Sequence, residues 1–336
     1  MMSRDFFIME RIVKNILLIM LLLFSNFIDA ATDNQKYMGV CFHPEKIDAD
    51  NSKIFQLLKK YRFISYRTDY RWQLVELEKD SYKVPDVRLD RLIKESNRNG
   101  ITPLLILGYR NSLYGTEKPK DDISRFAFAN YVAWVVNRYK EYDVNYEIYN
   151  EWWLKDLKGH NIENVILSAK DYLALIKQVS MTIRSISPSS KIIAGSLNPL
   201  NEQHVKWLGF MMQEGLMDYI DGVSIHPYSL NDPEYDFQQI DFFQKKISEE
   251  YNKNKSVDIY ITEMGYSDTS NSKINPLMQV QYIREYLNLV NERSYVKGIW
   301  WYQLVNENNH TEYESNLGLL NRDFSEKLIM KGWMSD

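Results

Sequence analysis

Two short segments of this 336-residue chain end in glutamates whose types and settings are suited to a shared chemical task. One reads Tyr146-Glu147-Ile148-Tyr149-Asn150-Glu151-Trp152, the other Ile259-Tyr260-Ile261-Thr262-Glu263-Met264-Gly265. In each, a strand-length run of apolar and aromatic residues leads into a carboxylate. Strand side chains alternate with period two, so Ile259, Ile261 and Glu263 share a face, as do Glu147, Tyr149 and Glu151. With Ile261 turned into a barrel, Glu263 would stand at its mouth. A single strand-end glutamate is ordinarily a solvated carboxylate. Two that face one bond can divide the work, one lending a proton and the other attacking or activating water.

The elements that must bring them together are read from hydrophobic periodicity. Strand-like runs fall at 38–42, 63–66, 102–107, 144–149, 192–195, 222–225, 259–262 and 298–302. Helical spacing occupies the intervals, clearest at 126–139 and at 166–186, where Ser187-Pro188 stops the run. Eight strands alternating with helices imply parallel pairing through right-handed crossovers. The expected fold is a single α/β domain, a (β/α)8 TIM barrel over residues 31–336. In such barrels chemistry sits at the C-terminal strand ends. Glutamates at the ends of the fourth and seventh strands meet the demand of glycosidic-bond cleavage, two carboxyl groups flanking one bond.

Composition narrows the partners. The chain is 45% hydrophobic and 26% charged, which fits a packed globular domain and not a disordered one. A net charge of −4 with no basic cluster argues against nucleic acid. The 24 Tyr and 8 Trp supply faces and polar handles that suit sugar rings, although core filling uses the same residues. Arg4, Arg11 and Lys14 precede an apolar run at 16–24, and Ile28-Asp29-Ala30-Ala31 offers small residues for cleavage. The run is short for a bilayer span, so residues 1–30 are expected to be a signal peptide on a secreted or periplasmic protein, with an uncleaved anchor as the alternative. No stable membrane insertion is expected after cleavage. Cys41 is the only cysteine, which rules out an intrachain disulfide.

The order of several short motifs carries a resemblance. They are Gly39-Val40-Cys41-Phe42-His43, Arg67-Thr68-Asp69-Tyr70-Arg71-Trp72, Leu105-Ile106-Leu107-Gly108-Tyr109, the two glutamate strands, Ser224-Ile225-His226-Pro227-Tyr228, Gly298-Ile299-Trp300-Trp301-Tyr302 and Asn316-Leu317-Gly318-Leu319-Leu320. Over about the whole mature chain they resemble clan A glycoside hydrolases, more narrowly glycoside hydrolase family 39 and its shorter bacterial relatives. The resemblance implies a retaining glycosidase, with Glu151 as acid/base and Glu263 as nucleophile. It implies that Asn150 bonds the sugar 2-hydroxyl, that His226 and Tyr228 line the site beside the nucleophile with Tyr228 donating to Glu263, and that Trp301 lies under the cleaved sugar with a cis Trp301–Tyr302 peptide.

Other residues are assigned from position. Arg67, ending the second predicted strand, can supply positive charge to Glu263, its alternative being a salt bridge with Asp69. His43 ends the first strand and is a candidate for a substrate hydroxyl. Trp152 stands where many relatives carry Pro, which makes Trp152 and Trp153 candidate sugar platforms. Tyr109 and Tyr114 are candidates for outer subsites or for loop packing. No room is expected for the β-sandwich carried by the family's xylosidases and iduronidases, which leans the reading away from those specificities and towards the family's bacterial polysaccharide-cleaving relatives. The alternatives are an inactive carbohydrate-binding barrel, a transglycosylase using the same residues, and a metal hydrolase. The last is disfavoured because His43, His160, His204, His226 and His310 form no His-x-His or His-x-x-x-His pair. No cofactor or metal is expected, and the sequence is silent on oligomeric state.

Overall fold

The computed structural model describes residues 36–115, 117–157, 161–270, 272–309 and 311–335. The expected leader, with His160 and His310, lies outside the described residues. Eight parallel strands close into a barrel in sequential order. They are β1 (Tyr37–Cys41), β2 (Ser65–Arg71), β3 (Thr102–Gly108), β4 (Asn145–Ile148), β5 (Ile192–Leu197), β6 (Gly222–Ile225), β7 (Ile259–Met264) and β8 (Val296–Tyr302). Seven helices follow the first seven strands: α1 (Asn51–Lys60), α2 (Val87–Ser96), α3 (Asp122–Tyr139), α4 (Ile162–Ile186), α5 (Glu202–Gln213), α6 (Pro233–Tyr251) and α7 (Pro276–Glu292). After β8 the chain runs through a long connection to a short α8 (Met330–Trp333), which packs on α7. Among the described residues no helix is long and apolar enough to cross a membrane.

Each of the seven barrel helices begins at an Asp or Asn whose side chain accepts from a backbone N–H of the first turn: Asp50, Asp86, Asp121, Asn161, Asn201, Asp232 and Asn275. Each cap is worth ~1 kcal/mol and marks where a loop from the barrel mouth turns into a helix. Pro233 and Pro276 follow two of the caps, where a missing N–H costs nothing.

The core has two parts. The larger lies between strands and helices and takes the apolar outer faces, including Tyr66, Leu105, Ile148, Val223, Ile261 and Trp301. The smaller plugs the barrel interior with Cys41, Leu104, Ile193, Tyr260 and Trp300. Trp300 crosses the barrel because Gly39 leaves space; a Cβ there would sit 2.3 Å from the indole. Above this plug the interior is polar. Along β2, Ser65 meets the Trp300 indole while Arg67, Asp69 and Arg71 take up polar partners of the mouth, and Tyr66 and Tyr70 join the outer core. This is why the second strand extends through Arg71, whereas an apolar run stops at Tyr66.

Period two fails at both candidate glutamates. Tyr260 faces the interior and Ile261 the helices, the reverse of the expected parity. Glu263 still reaches the mouth because Ile299 pairs with Ile261 but Trp301 with Met264, an extra residue on β7 that turns both Thr262 and Glu263 towards the interior groups they bond. On β5 the pairs Ala194–Val223 and Leu197–Ile225 mark a second bulge, with Gly195 and Ser196 at φ 133° and 50°. A Cβ on Gly195 would meet the Ser224 carbonyl at 2.7 Å. After β4, Tyr149 and Glu151 take left-handed φ of 61° and 47°, so Asn150 and Glu151 both enter the mouth instead of alternating.

Candidate active site

The mouth is an open cavity of about 520 Å³ lined from the strand ends, with His43, Arg67, Asn150, Glu151, Tyr228 and Glu263 among its walls. Arg67 organises its floor. Nη1 donates to Glu263 Oε1 (2.6 Å), Nη2 to Asn150 Oδ1 (2.8 Å) and Nε to Glu147 Oε2 (2.5 Å). The guanidinium is buried, which alone would lower its proton affinity, but Glu147 and Glu263 hold it well above its ordinary range. Its partner is therefore Glu263 and not Asp69, which bonds Arg71 at 2.8 Å.

Glu263 receives a second donor, the Tyr228 hydroxyl, at Oε2 (3.2 Å). Burial, then the charge of Glu263, pushes this phenol well above its usual range, so it remains a donor. His226 bridges the two glutamates. Its Nδ1 lies 3.2 Å from Glu151 Oε1 and 3.9 Å from Glu263 Oε2, while Nε2 meets the Thr262 hydroxyl at 3.0 Å. Those two carboxylate oxygens therefore lie no further apart than the sum of the two Nδ1 distances.

The opposite wall is a second charged cluster. His43 Nδ1 lies 3.0 Å from Glu307 Oε2, and Nε2 lies 3.6 Å from Asp69 Oδ2. Burial disfavours the imidazolium, but the two carboxylates prevail and raise His43 to about 10. Asp69 and Glu307 are each disfavoured as anions by burial and each carried below the usual carboxylate range by His43, with Arg71 aiding Asp69 and Lys46 aiding Glu307. Tyr109 donates to Asp69 Oδ1 (2.8 Å) and thus stands in the cleft wall.

Several aromatic assignments are corrected. Trp301 does not reach the cleft, where a sugar platform would have to lie. It is fully buried on the outer side of β8, against Tyr266 and Tyr286, because strand alternation turns Trp300 and Tyr302 inward. Tyr302 lines the cleft instead. The Trp301–Tyr302 peptide is trans, since β8 stays in its ladder through Tyr302; the cis bonds are Gly108–Tyr109 and Tyr302–Gln303. Trp152 is no platform but is buried flat on Tyr172. Trp153 packs on His204 and donates to the Ser196 carbonyl, and Tyr114 stacks on Trp72 and donates to Glu76. Loop packing claims all three because each finds an apolar or hydrogen-bonding partner beneath it.

Sequence reading missed Glu147, Thr262, Ser196, Glu307 and Lys46 as parts of the site. Glu147 lay inside an otherwise apolar strand, a buried carboxylate that needs partners, and this was a usable signal. Glu307 sits in a polar loop five residues beyond β8, where nothing in the sequence distinguishes it. Among the described residues no three His, Cys, Asp or Glu side chains are grouped to hold a metal ion.

With this geometry in view, comparison with known proteins is informative. Residues 156–328 match the glycosyl hydrolase catalytic core family, a segment that contains Glu263 and begins just after Glu151. No curated protein matches the chain. A family 39 glycoside hydrolase from the gut symbiont Bacteroides cellulosilyticus is 28% identical with a TM-score of 0.73, over 89% of this chain and 62% of that one. The chain thus spans less than two thirds of that enzyme's length. A xylanase from Thermotoga petrophila (14% identity, TM-score 0.66, 90% and 94% covered) shares the fold. So does an exo-β-1,4-mannosidase from an Opitutaceae bacterium (15%, 0.65, 89% and 58%). The match covers just over half of the sequence and falls on a closed eight-stranded barrel: this chain belongs to the glycosyl hydrolase catalytic core family.

Proposed function

We propose that the chain hydrolyses O-glycosidic bonds, β-linked, in a polysaccharide or oligosaccharide, with retention of anomeric configuration. The observation that carries this reading is the pair Glu151 and Glu263, which share one neighbour, His226 Nδ1, across an open cleft. Retention calls for carboxyl groups ~5–5.5 Å apart and inversion for ~6.5–9.5 Å, so product stereochemistry is the measurement that decides between them. The surroundings divide the roles. Glu263 has a cation at one oxygen and a phenol donor at the other, which favour the anion that a nucleophile must be. Among the described residues Glu151 bonds a histidine and neither Lys nor Arg, which suits a group that must carry a proton.

In the first step Glu151 protonates the leaving oxygen as Glu263 Oε2 or Oε1 attacks the anomeric carbon, giving a glycosyl ester. In the second, ionised Glu151 takes a proton from water as its oxygen attacks the same carbon and Glu263 leaves. Asn150, held by Arg67, keeps its amide N–H groups for a sugar hydroxyl, and Tyr302 offers a ring surface at the floor. The cleft continues past Arg71 and Tyr109 into a second hollow of about 300 Å³ with Gln73 and Arg110, which supports a chain-like substrate. Residues 1–30 support action outside the cytoplasm.

The test is a polysaccharide and oligosaccharide panel with wild type and Glu263→Gln, followed by product NMR. The expected result is turnover with retained anomers, lost by at least about 10³-fold in the variant. Equal turnover in the variant would remove Glu263 from the reaction. Inverted products would exclude double displacement. Sugar binding with no turnover by wild type would leave a binding barrel.

A further inference from the structure

We infer that Thr262 and Glu147 are positioning residues that fix a proton on His226 Nε2 and thereby keep one proton for Nδ1 and Glu151 to share. The inference rests on the reading of Glu151 as the acid, and it is carried by a count of donors and acceptors.

Glu147 is fully buried beneath the catalytic pair. Arg67 Nε donates to its Oε2 at 2.5 Å, and the hydroxyls of Ser196 (2.8 Å) and Thr262 (3.0 Å) donate to its Oε1. An ionised carboxylate paired with a guanidinium accepts only. The single hydroxyl hydrogen of Thr262 is therefore committed to Glu147. Its oxygen also lies 3.0 Å from His226 Nε2, and with no hydrogen left to give it must accept. Nε2 consequently bears the proton, and the neutral ring turns the bare lone pair of Nδ1 towards Glu151 Oε1 and, further off, Glu263 Oε2.

A lone pair facing two carboxylates needs one proton between them. Glu263 is the poorer source, since the Arg67 cation and the Tyr228 hydroxyl both donate to it and oppose a proton there. The proton then lies between Glu151 and Nδ1. With the ring neutral, Glu151 is the acid that the first step needs. With the ring charged, Nδ1–H donates to ionised Glu151, and the pair still holds one mobile proton. The arrangement excludes a neutral ring protonated at Nδ1, which would stabilise Glu151 as an anion without a proton to give. The charged and titratable groups around the ring are Glu151, Glu263 and, through Thr262, Glu147 with Arg67; Tyr228 adjoins through Glu263.

The experiment reads the tautomer directly, in the free enzyme. Protein labelled with ¹⁵N-histidine is compared as wild type, Thr262→Val and Thr262→Ser, with the His226 signals identified by their loss in His226→Asn. The expected wild-type ring is protonated at Nε2. Valine keeps the shape but removes the acceptor, so the Nδ1–H form should appear, and serine should restore Nε2–H. In a turnover assay the alkaline limb of kcat/KM should move to lower pH by about one unit in Thr262→Val and return in Thr262→Ser, a change that simple loss of packing would not cause. A neutral ring protonated only at Nδ1 in wild type, or an Nε2–H ring unchanged in Thr262→Val, would overturn the inference. Neither result depends on Glu263→Gln, whose loss of turnover tests the glycosidase reading separately.

Discussion

Two histidines belong to this site, His43 lining the cleft and His226 buried beside it, and each lies near two carboxylates. His226 lies between Glu151 and Glu263, His43 between Asp69 and Glu307. The residue types match, yet the physics differs. Around His43 the carboxylates also hold Lys46 and Arg71, so the cluster is a closed set of ion pairs with the imidazolium as its centre. Around His226 one ring nitrogen is spent on a neutral hydroxyl, the cation Arg67 bonds Glu263 and not Glu151, and one proton is left to be shared with Glu151. A histidine becomes fixed charge or proton partner according to what occupies its second nitrogen and where the nearest cation lies. On the proposed reading, the first wall holds a sugar in place and the second moves a proton.

The largest way to break this contrast is Arg67→Met. The variant strands Glu147 without its counterion in the barrel and frees Glu263, so stability should fall by about 3–5 kcal/mol in urea unfolding and turnover by at least about 10³-fold. Unchanged unfolding would mean that Glu147 takes its proton from elsewhere at no cost.

His43→Gln sharpens the other wall. Below pH 6.5 both folded and unfolded chains hold the His43 proton, and its contribution to stability is complete. Between 6.5 and about 10 only the folded chain holds it, so each step upward in pH removes stability. Urea midpoints from pH 6 to 10 should therefore decline more steeply in wild type than in His43→Gln. Parallel curves would show that His43 is neutral in the fold and that the two walls are alike.

Tyr228→Phe has the smallest expected effect. It removes one donor from Glu263 and leaves Arg67 in place, so kcat/KM should drop about tenfold, with stability changed by less than about 1 kcal/mol. A loss as large as that of Glu263→Gln would shift the burden of holding Glu263 from Arg67 to the phenol.

The strands and helices were legible because apolar runs alternating with amphipathic ones report the outer core, which is local in sequence. The predicted sixth strand, 222–225, coincides with β6, and the helix over 166–186 ends where Ser187-Pro188 requires. The second strand was placed too early because its interior face is polar. Glu151 and Glu263 were found by an alternation rule that does not hold at either position, since a bulge and two left-handed residues aim them. The reverse error befell Trp301, whose neighbours on the strand keep strict alternation and leave it facing the helices.

The sequence by itself determined the barrel, the two glutamates at its fourth and seventh strands, and the absence of any His-x-His or His-x-x-x-His pairing, because these follow from residue type and short-range period. Only the tertiary structure decided which groups share protons and charge. Glu147, Thr262 and Arg67 are separated by tens of residues or more, and Glu307 lies 264 residues from His43. Closing the barrel brings them within hydrogen-bond reach, and the low-dielectric interior then makes each pairing decisive, because a buried charge must find its partner or give up its proton.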